Sequence, residues 1–136
     1  MNTNTITESI IGSAIAVHRA LGPGLLESAY EHCMVIEMAA RGLRFERQKL
    51  IPLVFRGVAI ESGYRIDLLV EHEVVVELKS VAQLEEIHTA QILTYLKLAD
   101  CRLGLLINFN VPLLKDGIRR VILSRSRPSA SSAALR

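Results

Sequence analysis

The stretch Tyr64-Arg65-Ile66-Asp67-Leu68-Leu69-Val70-Glu71-His72-Glu73-Val74-Val75-Val76-Glu77-Leu78-Lys79-Ser80 decides the fold. It reads as a β-hairpin folded symmetrically about His72, with two apolar, β-branched-rich runs on either side of Glu71-His72-Glu73. Val70 then faces Val74, Leu69 faces Val75, Leu68 faces Val76, and Asp67 faces Glu77. Directly opposed residues on antiparallel strands carry Cβ atoms about 4.5–5.5 Å apart. Lys79 lies two residues past Glu77 and shares its face of the sheet. Asp67, Glu77 and Lys79 therefore converge at one end of a hairpin that is otherwise apolar on both faces. The turn has no glycine, which leaves the register open by one residue.

Working outward, Ile6 to Leu21 reads as a helix. Ile10, Ile11, Ala14, Val17 and Leu21 form an apolar stripe, Thr5 or Thr7 serves as cap, and Gly22-Pro23-Gly24 is the stop. Leu26 to Arg41 reads as a second helix ending at Gly42. Leu43 to Ile60, rich in Leu, Ile, Val and Phe, gives one or two strands. After the hairpin come a helix over Leu84 to Ala99, a strand over Arg102 to Asn108 and a last strand over Ile118 to Leu123. The order α, α, β, β, β, α, β, β predicts an α/β fold, with helices packed on a mixed central sheet.

The 136 residues make one domain, expected over residues 1–123. From residue 124 Ser, Ala, Arg and Pro dominate, and residues 124–136 read as a disordered tail. Half the residues are hydrophobic and the net charge is +2, which excludes disorder across the whole chain. Cys33 and Cys101 stand far apart, in no metal-ligand spacing, and read as small core residues of a reducing compartment. No run approaches the ~18 apolar residues of a membrane span, and Met1 to Thr7 lacks a signal-peptide layout. The expectation is a cytoplasmic protein with no membrane partner. A pI near 8.7 points only weakly to an anionic partner. With aromatics at 4% and no Trp, a stacking platform for single strands is poorly supplied.

Two carboxylates on adjacent central strands repel one another and cost desolvation. A cation between them removes the cost, and carboxylate oxygens suit Mg²⁺ or Mn²⁺. A lysine beside such a site orients water or neutralises charge developing on a phosphate. The alternative is a buried ion pair of Lys79 with Glu77 or Asp67, and spacing alone leaves both open. On the third helix His88, Gln91 and Tyr95 fall at i, i+3 and i+7. That stripe either faces solvent or turns to the hairpin end, where Gln91 and Tyr95 would hold Lys79 or a phosphate. His18 reads as a packed helix residue. Glu27 suits a helix's first turn, and Tyr30 reads as a core tyrosine with its hydroxyl satisfied. Between Arg41 and Arg65 six basic residues stand against two acidic ones. Such an excess serves either a duplex-binding surface or charged guarding of strand edges.

Gly24-Leu25-Leu26-Glu27-Ser28-Ala29-Tyr30, with His18-Arg19-Ala20-Leu21-Gly22-Pro23 before it and Glu31 after, resembles the signature of the GxxExxY protein family. The resemblance spans about Ile6 to Leu123. That family is similar to the PD-(D/E)XK nuclease superfamily, whose core is αβββαβ. Asp67 and Glu77-Leu78-Lys79 match the superfamily's carboxylate and (D/E)xK motif, and Gln91-Ile92-Leu93-Thr94-Tyr95 resembles its QxxxY element. Ile66 stands where the superfamily's name has proline. The resemblance implies a Mg²⁺- or Mn²⁺-dependent nuclease acting on DNA or RNA. Asp67, Glu77 and the main-chain carbonyl of Leu78 would be the metal ligands. Lys79 would position the attacking water, Gln91 and Tyr95 would orient Lys79 or the substrate, and Glu27 would be an accessory acid. A nuclease-like module without catalysis, binding nucleic acid or a protein and forming a homodimer, is the other reading.

Overall fold

The computed structural model describes residues 1–124, the side chains of Ser62 and Gly63 excepted. Residues 125–136, most of the expected tail, lie outside the described residues. The elements are α1 (Thr3–Leu21), α2 (Glu27–Ala40), β1 (Phe45–Phe55), β2 (Val58–Val70), β3 (Val74–Lys79), α3 (Glu86–Ala99), β4 (Leu103–Asn108), a 3₁₀ turn (Leu114–Gly117) and β5 (Ile118–Ile122). The order is the expected one. Helix α1 begins three residues earlier than its apolar stripe, because Asn2 rather than a threonine caps it, accepting from Thr5 N at 2.8 Å.

Among the described residues the sheet is mixed and five-stranded, in the order β1-β2-β3-β4-β5. Only β3 and β4 run parallel, and α3 makes the crossover between them. The β2–β3 register matches the symmetric hairpin: Val70 opposite Val74, Leu69 opposite Val75, Leu68 opposite Val76. The turn works without glycine because Glu71 and His72 both adopt left-handed φ (54° and 56°), with Glu73 N donating to Val70 O.

Strand β3 is buried on both faces, which is why it reads as a continuous apolar run. Val74, Val76 and Leu78 pack under α1 and α2 with Ile10, Ala14, Tyr30 and Met34, while Val75 packs under α3 with Ile92, Tyr95 and Leu96. Helix α3 sits close on β4 because Gly104 has no side chain: a Cβ there would meet Ile92 Cδ1 at 2.7 Å. Cys33 is half-buried, and Cys101 is buried with its Sγ donating to His72 O at 3.8 Å. No helix among the described residues is long and apolar enough to cross a membrane.

One rung breaks the pattern. Leu68 and Val70 pack on the α1/α2 side, yet Ile66 packs on the α3 side with Leu69. Strand alternation would put Ile66 with Leu68. The pleat of β2 therefore reverses at Asp67. Across from it, Gln48 has φ 47°, and the ladder pairs Arg47 with Leu68 and Lys49 with Ile66 but skips the rung between them.

Candidate active site

The β2–β3 ladder stops at Leu68–Val76, one rung short of Asp67 and Glu77. Side chains replace the main chain there. Asp67 N donates to Glu77 Oε2 at 2.9 Å, and Leu78 N donates to Asp67 Oδ2 at 2.9 Å. The strands thus fork at this rung, each carboxylate holding an amide of the other strand. Burial satisfies these amides at the expense of the acids. Glu77 is 4% exposed, and its pKa is pushed up to about 8, first by burial and then by the charge of Asp67. Burial also raises Asp67, with a contribution from Glu31, against the lowering effect of the Leu78 and Gln48 donors.

Lys79 is half-buried next along the same face. It lowers the pKa of both acids through its charge, yet makes no ion pair or hydrogen bond with the described residues. The ion pair weighed from the spacing is not formed. Its backbone is fixed while its ammonium is free: Phe109 N donates to Lys79 O at 2.9 Å. The following residue is fixed as well, Ser80 N donating to Glu27 Oε2 at 3.1 Å and Ser80 Oγ to Leu25 O at 2.6 Å. Glu27 thereby ties the start of α2 to the end of β3, and its charge reaches Glu77.

Tyr95 is buried under β2 and β3, edge-on to Tyr64 with ring centroids 6.0 Å apart. Burial, then the charges of Glu77 and Asp67, raise its hydroxyl to about 12, so it stays a hydrogen-bond donor at neutral pH. Gln91, expected beside the acids, is instead exposed and makes no hydrogen bond to them; it lines a cleft of about 290 Å³ with Tyr64, Ile87, Ala90 and Thr94. Four residues on a 3.6-residue turn are offset by about 40°, enough to carry Gln91 over the helix shoulder while Tyr95 points in. His88 leaves the stripe altogether: its Nδ1 accepts from Glu85 N at 3.0 Å and caps α3.

Two residues join the site that sequence reasoning did not place there. Glu31, one turn after Glu27 on α2, is 8% exposed and accepts from Arg47 Nε at 3.2 Å and Gln48 Nε2 at 2.7 Å. Gln48 Nε2 also reaches Asp67 Oδ1 at 3.3 Å, so one amide bridges two carboxylates. The i, i+4 spacing of Glu27 and Glu31 was a readable signal. Gln48 gave none, since its reach depends on its left-handed backbone. Tyr30 is a core tyrosine with its hydroxyl satisfied: it stacks on Phe109 at 4.3 Å, donates to Gly22 O at 2.5 Å and accepts from Leu25 N at 3.2 Å. His18 packs likewise, its Nε2 2.8 Å from Val111 O.

The donor set fits a hard divalent cation. Among the described residues no three His, Cys, Asp or Glu side chains gather to enclose an ion. Two buried carboxylates remain, Glu77 raised by the charge of Asp67 and both raised by burial, and Mg²⁺ takes one or two carboxylates and completes its shell with water and substrate oxygens. The basic segment is less available than its composition suggests, because Arg41, Arg44, Arg47 and Lys49 pair with Glu37, Glu71, Glu31 and Glu46. Arg56 and Arg65 make no such pair with the described residues.

Compared with known families, residues 4–121 match the model of the PD-(D/E)XK nuclease superfamily. No curated protein and no solved structure matches the chain.

Proposed function

The chain belongs to the PD-(D/E)XK nuclease superfamily, and from that premise we propose that it is a metal-dependent nuclease hydrolysing phosphodiester bonds. The supporting observation is the fork: Asp67 and Glu77 crossed at one rung, with an unpaired Lys79 beside them. Asp67, Glu77 and the main-chain carbonyl of Leu78 would hold Mg²⁺ or Mn²⁺. When bound, the ion supplies positive charge against the scissile phosphate and favours ionisation of water.

The chain's own groups do the rest. The free Lys79 ammonium orients the attacking water and offsets negative charge as the water oxygen adds to phosphorus and the ester bond breaks. Tyr95, a buried residue beside the acids, keeps its hydroxyl protonated and able to donate to a substrate oxygen. Gln48 fixes Asp67 against Glu31, and Glu27 fixes the strand end that carries Lys79.

The test is cleavage of duplex DNA, single-stranded DNA and RNA in Mg²⁺ and in Mn²⁺ by wild type and Lys79→Ala. Wild type is expected to cleave at least one substrate, and the variant to lose about 100-fold or more. With no ion pair to break, Lys79→Ala is expected to change stability by under about 1 kcal/mol. Absence of cleavage by wild type across the panel overturns the reading and leaves a nuclease-like binding module.

A further inference from the structure

Past the fork, β1 and β2 continue without β3. Strand β3 ends at Lys79, and the β2–β3 ladder ends at Leu68, whereas the β1–β2 ladder runs on to Phe55–Val58. The result is a two-stranded arm whose base, Ile66, Tyr64 and Ile51, still packs against α3 and whose outer part, from Leu53 and Ile60 to the tip, extends beyond the core. From Asp67 to Val58 is nine residues, or about 30 Å at ~3.3 Å per residue, less what the register shift between Ile51 and Leu53 takes up. Arg56 and Gly57, both at left-handed φ (53° and 79°), close its tip.

The arm's surface is unusual for a free hairpin. Val54, Phe55 and Val58 at the tip are 62%, 64% and 62% exposed. Two-stranded ribbons are marginal in water by themselves, so this apolar exposure is a standing cost unless something covers it. The arm also carries Arg56 and Arg65, the two basic residues between Arg41 and Arg65 that have no acidic partner among the described residues. All four other basic residues of the segment are paired.

We propose that the arm enters the major groove of duplex DNA whose backbone lies across the Asp67–Glu77 fork. The inference rests on the nuclease reading and names its substrate. The major groove of B-form DNA, about 12 Å wide, admits a two-stranded β-ribbon. Arg56 and Arg65 meet phosphates or base edges, and the apolar tip meets sugar and thymine-methyl surface. The reach approaches one duplex turn of ~34 Å, so the tip touches DNA nearly a turn from the fork. A-form RNA does not fit, since its major groove is too deep and narrow for side chains to read. A second copy of the chain is a poorer occupant. A two-fold contact at the tip would set Arg56 against its own copy while covering the same three apolar side chains.

Binding is measured by fluorescence anisotropy in EDTA, which separates it from cleavage, on a 20-base-pair DNA duplex, the RNA duplex of the same sequence and the single strand. The variants are the pair Arg56→Glu with Arg65→Glu, and the triple Val54→Thr, Phe55→Thr, Val58→Thr. Each is paired with a thermal melt and with Mn²⁺-dependent hydrolysis of bis(p-nitrophenyl) phosphate, which is too small to reach the arm. Wild type is expected to prefer the DNA duplex at least tenfold over the RNA duplex. Both variants should lose tenfold or more on DNA, with melts and small-diester hydrolysis unchanged. The charge-reversed pair should also lower the slope of log K against log salt by about 1.8, for two phosphate contacts. Wild type that binds no DNA duplex, or an arginine pair that binds it as wild type does, overturns the proposal. So does a dimer by light scattering that the threonine triple turns to monomer while DNA affinity stays. Arm-dependent DNA binding with no hydrolysis of either substrate supports the arm and overturns the nuclease reading alone.

Discussion

Replacing Glu77 by glutamine takes a charge out of the fork and keeps its shape. The glutamine oxygen can still accept from Asp67 N, the 2.9 Å bond that replaces the ladder. The ordinary pKa of 4.5 rises to about 8 at Glu77, through burial first and the Asp67 charge second. An acid with a folded pKa above its unfolded one holds its proton longer in the folded chain. Between the two values the folded form binds more protons, so stability falls as pH rises from about 4.5 and levels off above about 8. At about 1.4 kcal/mol for each pKa unit between them, the wild-type loss approaches roughly 5 kcal/mol. Glutamine does not titrate. In EDTA the Glu77→Gln variant is therefore expected to match wild type near pH 4.5 and to exceed it by several kcal/mol at pH 9.

Urea unfolding of both proteins from pH 4.5 to pH 9 measures the difference, since groups that titrate alike in both cancel. The slopes against urea should agree, showing that the same surface unfolds. Mn²⁺ at pH 8 should raise wild-type stability as RT ln(1 + [L]/Kd) and leave the variant unmoved. A difference that stays flat with pH refutes the reasoning, because the buried carboxylate would then carry no cost. So does a variant less stable than wild type at pH 9, which would mark Glu77 as the anchor of a structural ion pair.

Tyr30→Phe keeps the stack on Phe109 and removes the bonds to Gly22 O and Leu25 N; calorimetry is expected to show a loss of about 1–3 kcal/mol, and one under about 0.5 would deny the clamp. Gln48→Leu deletes the donor shared by Glu31 and Asp67; Mn²⁺ affinity by titration calorimetry should fall about 10–100-fold, and an unchanged affinity would deny its positioning role.

The hairpin was legible because two Val- and Leu-rich runs flank Glu71-His72-Glu73, but with both faces of β3 apolar the pattern left the register open by one residue, and the left-handed turn at Glu71 and His72 sets it. Helix and strand order followed from apolar period and from Gly22, Gly24 and Gly42. What local pattern could not carry was contact across the sheet. Asp67 was expected simply opposite Glu77, but each acid instead takes the other strand's amide where the pleat of β2 reverses at Asp67, across from the left-handed Gln48. Nothing near Gln48 in sequence announces a left-handed backbone. The basic segment stayed open between its two readings for the opposite reason: composition counts charges, whereas Glu31, Glu37, Glu46 and Glu71 neutralise four of them from other turns and strands or within the segment.

The signature Gly24 to Tyr30 acquires a physical task from these contacts. Each acid gives one oxygen to an amide of the other strand and keeps further lone pairs for a cation, and the fork would open only if a bound cation drew the amide-holding oxygens away. Opening would misplace Lys79 if the end of β3 depended on the fork. It does not. Tyr30 closes the loop from Gly22 to Leu25 through its hydroxyl. That loop then presents Leu25 O, and α2 presents Glu27, to Ser80. From the other side Phe109, on which Tyr30 stacks, holds the Lys79 carbonyl. The strand end is thus gripped by the helical layer on one residue and by β4's exit on the other, independently of Asp67 and Glu77. A free ammonium on a fixed backbone is what a positioning lysine needs: the side chain adjusts to the phosphate while its Cα stays in place. By this argument Tyr30 and Glu27 serve Lys79 through Ser80 and Phe109, and the signature's spacing is the distance along α2 that puts a clamp and a tether on the same turn of helix.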